Sequence, residues 1–363
     1  MKSSLALSVL SIASALLSFQ ALQAEAVPNN TQSFGQWCLQ KDSLPTETRW
    51  TVEVLLTRAT TKNCQVADRI LRSFGSLDIE GSQISDLRPL TGLINLTSLN
   101  LDDNQISDVR PLAGLINLTS LRLGSNKISD VSSLAGLSRL DNLKLDGNQI
   151  SDVKPLESLT KLTTLNLSKN LISDIKPLAD LTNLTTLYFN SNQISNVKPL
   201  TWLRNLTWLE IGSNKISDIK PLAELHGLYL LELHDNKISD IKPLSSLTKL
   251  TALMLFENQI SDIEPLAGLS ILVDLRIDDN QISDVKPLAG LSSLSALRLK
   301  NNQISDVKPL AELSSLHELL LDNNQISDIK PLSSLSNLTT LSLSGNHISA
   351  KVCPVKPESV CIF

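Results

Sequence analysis

The chain has 363 residues, with 32 lysines and arginines against 37 aspartates and glutamates, a net charge near −5 and no basic run. A surface built to neutralise nucleic-acid phosphates is therefore not expected. The four histidines, His226, His234, His317 and His347, are scattered, and the four cysteines are placed to pair, so catalysis has little support.

The amino terminus reads as an export signal. Lys2 precedes an apolar run from Leu5 to Phe19, and Ala24-Glu25-Ala26 is a small-x-small cleavage pattern. The run is interrupted by Ser8, Ser11, Ser14 and Ser18 and falls short of the roughly 20 apolar residues of a membrane span. With no cysteine at the expected cut, no lipid or membrane anchor is expected, and the mature protein is predicted to be a secreted or periplasmic monomer.

Residues 27–73 are expected to form a helical cap. A helix beginning near Thr46, after Pro45, would turn Trp50, Val54 and Leu55 inward, and a second would present Val66, Ile70 and Leu71 before a first strand at Leu77. From there to residue 348 the sequence repeats every 22 residues, about thirteen times, each unit marked by an asparagine from Asn104 through Asn346, with Ser82 in the slot before the first. Such a period is the signature of a solenoid.

Within one unit, Leu99 and Leu101 stand two apart and share one face of a strand, while Ser98, Asn100 and Asp102 face solvent. Strands repeating in one direction pair in parallel. Leu90, Leu93 and Leu96 fall three apart, as a 3₁₀ return turn requires, and Pro89, Pro111 and their equivalents open that turn, with Ser133 as the one replacement. Each asparagine can satisfy backbone groups where the chain leaves the strand. The aspartates at Asp86, Asp108, Asp152 and Asp174 accept backbone hydrogen bonds, with lysines such as Lys154 and Lys176 offsetting them, and need no metal.

After the array come Cys353 and Cys361, which close residues 349–363 into a second cap. Three pairings of four cysteines are formally possible. Export and the roughly 7 Å limit between bridged Cα atoms favour the local pairs, Cys38 with Cys64 and Cys353 with Cys361. The absence of a Cys-x-x-Cys pair or neighbouring histidine speaks against a metal site, and no cofactor is implied.

The pattern L-x-x-L-x-x-L-x-L-x-x-N-x-I-S-D-h-K-P-L, as in Leu137 to Leu156, resembles the 22-residue leucine-rich repeat of bacterial internalin-type proteins and of phosphatase-regulatory repeat proteins. The resemblance implies an α/β fold, a right-handed horseshoe solenoid with a parallel concave sheet and a 3₁₀ or short-helical convex side. It also implies ligands held on the concave face. Internalin-type surface proteins continue into an immunoglobulin-like domain and a sorting tail; the chain stops at Phe363, so wall attachment and host-receptor binding do not carry over.

Departures from the repeat point to the site. Between Ser82 and Asn346 the only aromatics are Tyr188, Phe189, Trp202, Trp208, Tyr229 and Phe256. Phe189 takes a core leucine slot and Trp202 lies on the return segment. Tyr188, Trp208, Tyr229 and Phe256 fall at outward strand or strand-end positions, joined by Leu230, Met254 and His234, with Glu210 and Glu232 among them. Exposed aromatics with polar neighbours suit a protein loop or a stacked sugar ring. Ser342, at a concave position of the last repeat, is expected to be inert. The alternatives are a structural extracellular component without a dedicated ligand and, more weakly, an enzyme using His234. The Asn-Leu-Thr sequons at Asn95 and Asn205 follow from the consensus and carry no evidence of glycosylation.

Overall fold

The computed structural model describes residues 32–363, so the expected leader over residues 1–26 lies outside the described residues. Every turn opens with a three-residue strand: β1 (Ser76–Asp78), β2 (Ser98–Asn100), β3 (Ser120–Arg122), β4 (Asn142–Lys144), β5 (Thr164–Asn166), β6 (Thr186–Tyr188) and β7 (Trp208–Glu210). The series continues through β8 (Leu230–Glu232), β9 (Ala252–Met254), β10 (Asp274–Arg276), β11 (Ala296–Arg298), β12 (Glu318–Leu320) and β13 (Thr340–Ser342). All pair in parallel in chain order, each residue beside the one 22 further on, as Leu187 is beside Leu209. A fourteenth strand, β14 (Cys361–Ile362), comes from the tail and pairs with β13. Two residues are too few for alternation to reveal in the sequence.

The register follows from burial. In the second turn Leu96, Leu99, Leu101, Ile106, Val109, Leu112 and Leu115 are all buried, and the equivalents in each neighbour cover them. A slip of one residue would expose the whole leucine row. The return path is made of 3₁₀ helices such as Lys154–Ser158, opening one residue before the proline. Asp152 Oδ1 accepts the N–H of Lys154 at 2.8 Å, and Asn196 does the same for Lys198 at 3.0 Å. The acidic row therefore holds the start of each return helix.

The asparagine ladder completes the turn. Asn192 Nδ2 donates to the carbonyls of Leu167 (2.9 Å) and Phe189 (3.0 Å), and its Oδ1 accepts the N–H of Ile172 at 3.0 Å. Each amide thus binds backbone of its own turn and of the preceding one, where the short strands leave groups unpaired. Asn214 and Asn346 are half-buried and the other ten are buried. The residue before the asparagine sits in the left-handed region in every turn, as Glu257 does at φ 56°, and is glycine only at Gly147 and Gly345.

Three helices close the first end: α1 (Phe34–Leu39), α2 (Thr46–Arg58) and α3 (Cys64–Arg72). Disulfides join Cys38 to Cys64 and Cys353 to Cys361. Helix α2 starts where expected, but it turns Val52, Leu55 and Leu56 inward, with Val54 partly buried. Trp50 is 49% exposed and donates Nε1 to the carbonyl of Ser82 at 2.8 Å, capping the ladder where the asparagine is missing. In α3, Ala67 and Leu71 are buried while Val66 is exposed, because the solenoid end lies on the other side of the helix. Helix α1 was not expected; Ser33 and Gln36 cap it reciprocally, and Phe34 fills the centre of the cap.

Candidate functional site

Outward positions of the strands form three parallel rows on the concave face, the third of them one step beyond the strand end. In the centre these rows bring together most of the expected residues. Tyr188 and Trp208 lie on adjacent strands with ring centroids 6.4 Å apart, and Trp208 meets Tyr229 edge to face at 5.7 Å. On the third row His234 stacks on Phe256 at 4.5 Å with an interplanar angle of 10°. Tyr229 precedes β8 rather than lying within it, so it borders the patch at one side, 41% exposed. Leu230 is half-buried beside Trp208.

Two positions differ from expectation. Met254 points to the concave side but is buried, set between Glu232 and Arg276 in register, so it floors the patch instead of presenting a contact. Ser342 is buried too, its hydroxyl donating to Asp322, so it is not an open concave position.

The polar groups are tied together by a residue that sequence reasoning passed over. Asn190 Nδ2 donates to Glu210 Oε2 at 2.9 Å and reaches Glu232 Oε2 at 3.4 Å, while its Oδ1 accepts the N–H of Gly212 at 2.6 Å. Trp208 Nε1 donates to Glu210 Oε1 at 2.7 Å. Gly212 matters because a Cβ there would stand 2.2 Å from His234 Cε1. The missing side chain is what lets the imidazole lie down on its neighbour strand. A signal existed: glycine replaces a polar residue in the third row one repeat before a histidine.

Burial sets the electrostatics. It pushes the Glu210 carboxyl above the ordinary range, with the neighbouring Glu232 charge adding, while hydrogen bonds from Trp208 and Asn190 pull back. Burial raises Glu232 likewise, against Asn190 and Arg276. Burial also lowers His234, against the nearby acids, leaving it neutral near pH 7 although Nδ1 is 3.9 Å from Glu232 Oε2. The Tyr188 hydroxyl is raised by burial and by the same two glutamates.

A different arrangement occupies β2 to β4. Asp102, expected to face solvent, is 1% exposed. Its Oδ2 binds Arg122 Nη2 at 2.5 Å and Lys144 Nζ at 2.9 Å, and its Oδ1 accepts the N–H of Gly124 at 2.6 Å. Toward the other end, Asp274 pairs with Arg276 at 2.9 Å, Arg298 with Glu318 at 2.6 Å and Lys300 with Asp322 at 3.1 Å.

Among the described residues the other histidines stand apart from His234: His317 bonds to Ser315 and Ser295 on another repeat, and His226 and His347 lie on others again. Among the described residues no group of three or more potential metal ligands occurs, and no helix is long and apolar enough to cross a membrane. On the convex side Trp202 is 61% exposed, and the sequon amides are engaged, Asn95 with the carbonyl of Arg72 and Asn205 with that of Thr182, both at 2.9 Å.

The chain matches the family described as Leucine Rich repeats (2 copies) over residues 160–202, 230–268 and 314–352, and the Leucine rich repeat family over 94–150. An internalin (inlF) from Listeria monocytogenes is 37% identical with a TM-score of 0.82, the match covering 86% of this chain and 94% of that one. A leucine-rich repeat protein from Leptospira interrogans is 25% identical with a TM-score of 0.58, covering 78% of this chain and 88% of that one. The ectodomain of the plant membrane receptor kinase GASSHO1/SCHENGEN3 from Arabidopsis thaliana, 24% identical, shares the fold with a TM-score of 0.65 over 75% of this chain and 35% of that one. No curated protein sequence matches.

Proposed function

This chain belongs to the internalin-type leucine-rich repeat family, and from that premise we propose that it is a secreted, non-enzymatic binding module whose concave face takes a protein ligand at the Tyr188–Phe256 patch. In this reading a leader of residues 1–26 is removed, and caps over 27–73 and 349–363 close a solenoid spanning 74–348. The observation that carries it is the aromatic surface on β6 to β9, contiguous through ring contacts of 6.4 and 5.7 Å and continued by the stacked His234–Phe256 pair. A patch spanning neighbouring strands behaves as a recognition core in a way that single exposed aromatics do not. Export agrees with the amino-terminal pattern and with two disulfides.

The test is a pull-down from extracellular fractions with the parent, a Tyr188→Ala/Trp208→Ala variant and a Ser120→Ala control on the same face. The double variant should keep its urea midpoint nearly unchanged and bind the captured partner more weakly by about 2 kcal/mol or more. Equal affinity of parent and double variant would eliminate the patch and move attention to the convex surface around Trp202.

A further inference from the structure

We propose that the patch recognises its partner by seating a basic side chain, arginine being the better fit, against the Trp208 and Tyr188 rings and between the carboxylates of Glu210 and Glu232. This rests on the patch being the binding surface and adds what kind of group it takes.

The argument begins with a charge imbalance. Glu210 and Glu232 are register neighbours on β7 and β8, held near one another by the strand pairing. Among the described residues neither has a lysine or arginine within ion-pair distance, whereas Asp102, Asp274, Glu318 and Asp322 on the same face each have one. The nearest basic groups are committed or uncharged: Arg276 is paired with Asp274 at 2.9 Å, and burial keeps His234 neutral. Two half-buried carboxylates side by side repel each other and lose hydration, a cost that an incoming cation would reverse.

The hydrogen bonding leaves room for that cation. A carboxylate offers about four lone-pair directions. Glu210 uses one on each oxygen, for Trp208 and Asn190, and Glu232 has only the long 3.4 Å contact from Asn190 and the 3.9 Å approach of His234. Because Trp208 spends its N–H on Glu210, the indole edge is fixed toward the carboxylate. Ring faces attract cations, and a guanidinium can stack flat on an aromatic while its N–H groups reach a carboxylate in the same plane. Stacked sugars would also use the rings, but two adjacent uncompensated negative charges favour a positively charged group over a neutral one.

The probe is a fluorescent peptide of Arg-Gly-Ser triplets, compared by anisotropy with the same peptide carrying citrulline, a neutral isostere, in place of arginine. The full-length protein should bind the arginine peptide about tenfold more tightly than the citrulline peptide. Glu210→Gln/Glu232→Gln should abolish that preference. Glu157→Gln/Glu312→Gln, which removes the same charge from the convex side, should keep it. Tyr188→Ala/Trp208→Ala should weaken both peptides. No saturable binding of the arginine peptide, equal binding of the two peptides, or a preference that survives in Glu210→Gln/Glu232→Gln would each overturn the inference. With the captured partner the two proposals separate: loss on removing the rings but not on neutralising the glutamates, or competition by an uncharged oligosaccharide, leaves the patch standing and removes the cation, whereas loss in neither variant removes both.

Discussion

Two parts of one concave sheet handle buried carboxylates in opposite ways. In β2 to β4, Asp102 is sealed by Arg122, Lys144 and the backbone of Gly124, so its charge is answered within the chain. In β6 to β9, Glu210 and Glu232 are half-buried, yet their hydrogen bonds come only from neutral donors. The first arrangement is complete without a partner and works as a brace across three strands. The second gains from a partner's charge. Acidic residues on a repeat surface are therefore not informative by number; what distinguishes the two regions is whether the chain supplies its own counter-charge.

The largest effects should be the same in both regions, because both rest on one ladder. Asn126→Leu under the ionic brace and Asn192→Leu under the aromatic patch should each cost on the order of 3 kcal/mol, since each strands buried backbone carbonyls and an N–H. Urea midpoints of the two variants test this, and an unchanged midpoint for either would refute the ladder's role. Next, Asp102→Ala should cost about 2 kcal/mol by leaving Arg122 and Lys144 without their shared partner. High salt should reproduce only part of that loss, because Asp102 is 1% exposed while the Arg122 and Lys144 side chains are 45% and 31% exposed.

The third prediction has the opposite sign. Burial raises both Glu210 and Glu232 in the folded state, so the folded form holds protons more tightly there than the unfolded chain does. Their linked stability is complete below the ordinary glutamate value of 4.5 and is lost as pH rises through the raised folded values. Glu210→Gln/Glu232→Gln should consequently be more stable than the parent near pH 7 and lose that advantage as pH falls to about 4. His234 works the other way, its contribution present above 6.5 and lost on acidification through its lowered value; because the Glu210 charge holds that value up, the variant loses more of this contribution on acidification, in the same direction as the loss of its advantage. Parallel stability curves for parent and variant would contradict the assigned burial effect.

The smallest effect concerns Gly212→Ala. The added methyl must displace the His234 ring from the Phe256 stack, at about 1 kcal/mol, and NMR titration should then place the histidine closer to 6.5. Gly114→Ala, with nothing within 4 Å of the new Cβ, is the matching control.

What could be read in advance divides along physical lines. Leu99, Asn104 and Pro111 are legible because each repeats with one spacing and has one task. Tyr188, Trp208 and Glu210 are legible because strand alternation fixes the face on which they emerge. The missed features depend on which repeats stand beside each other. Asn190 bridges glutamates one and two turns away, Gly212 clears space for a ring from the next turn, and the burial of Met254 and Ser342 reflects cross-strand neighbours. Trp50 and Val66 were turned the wrong way for a related reason: the apolar pattern of a short capping helix does not say from which side the solenoid approaches it.

The short strand β14 bears on the open edge of the sheet. A stack of interchangeable turns presents at its end a row of N–H and C=O groups like those in its middle, ready to receive a strand from any other copy. Here the last such row meets a segment of two residues, with Leu343 donating to the carbonyl of Ile362 at 2.8 Å, held in place through the Cys353–Cys361 loop. The loop acts as a terminator of sheet growth. Once reduced, it would free β13 as a template, and since α1 to α3 close the first end, the failure to be watched for is pairing between the freed β13 edges of two molecules whose interiors are still folded.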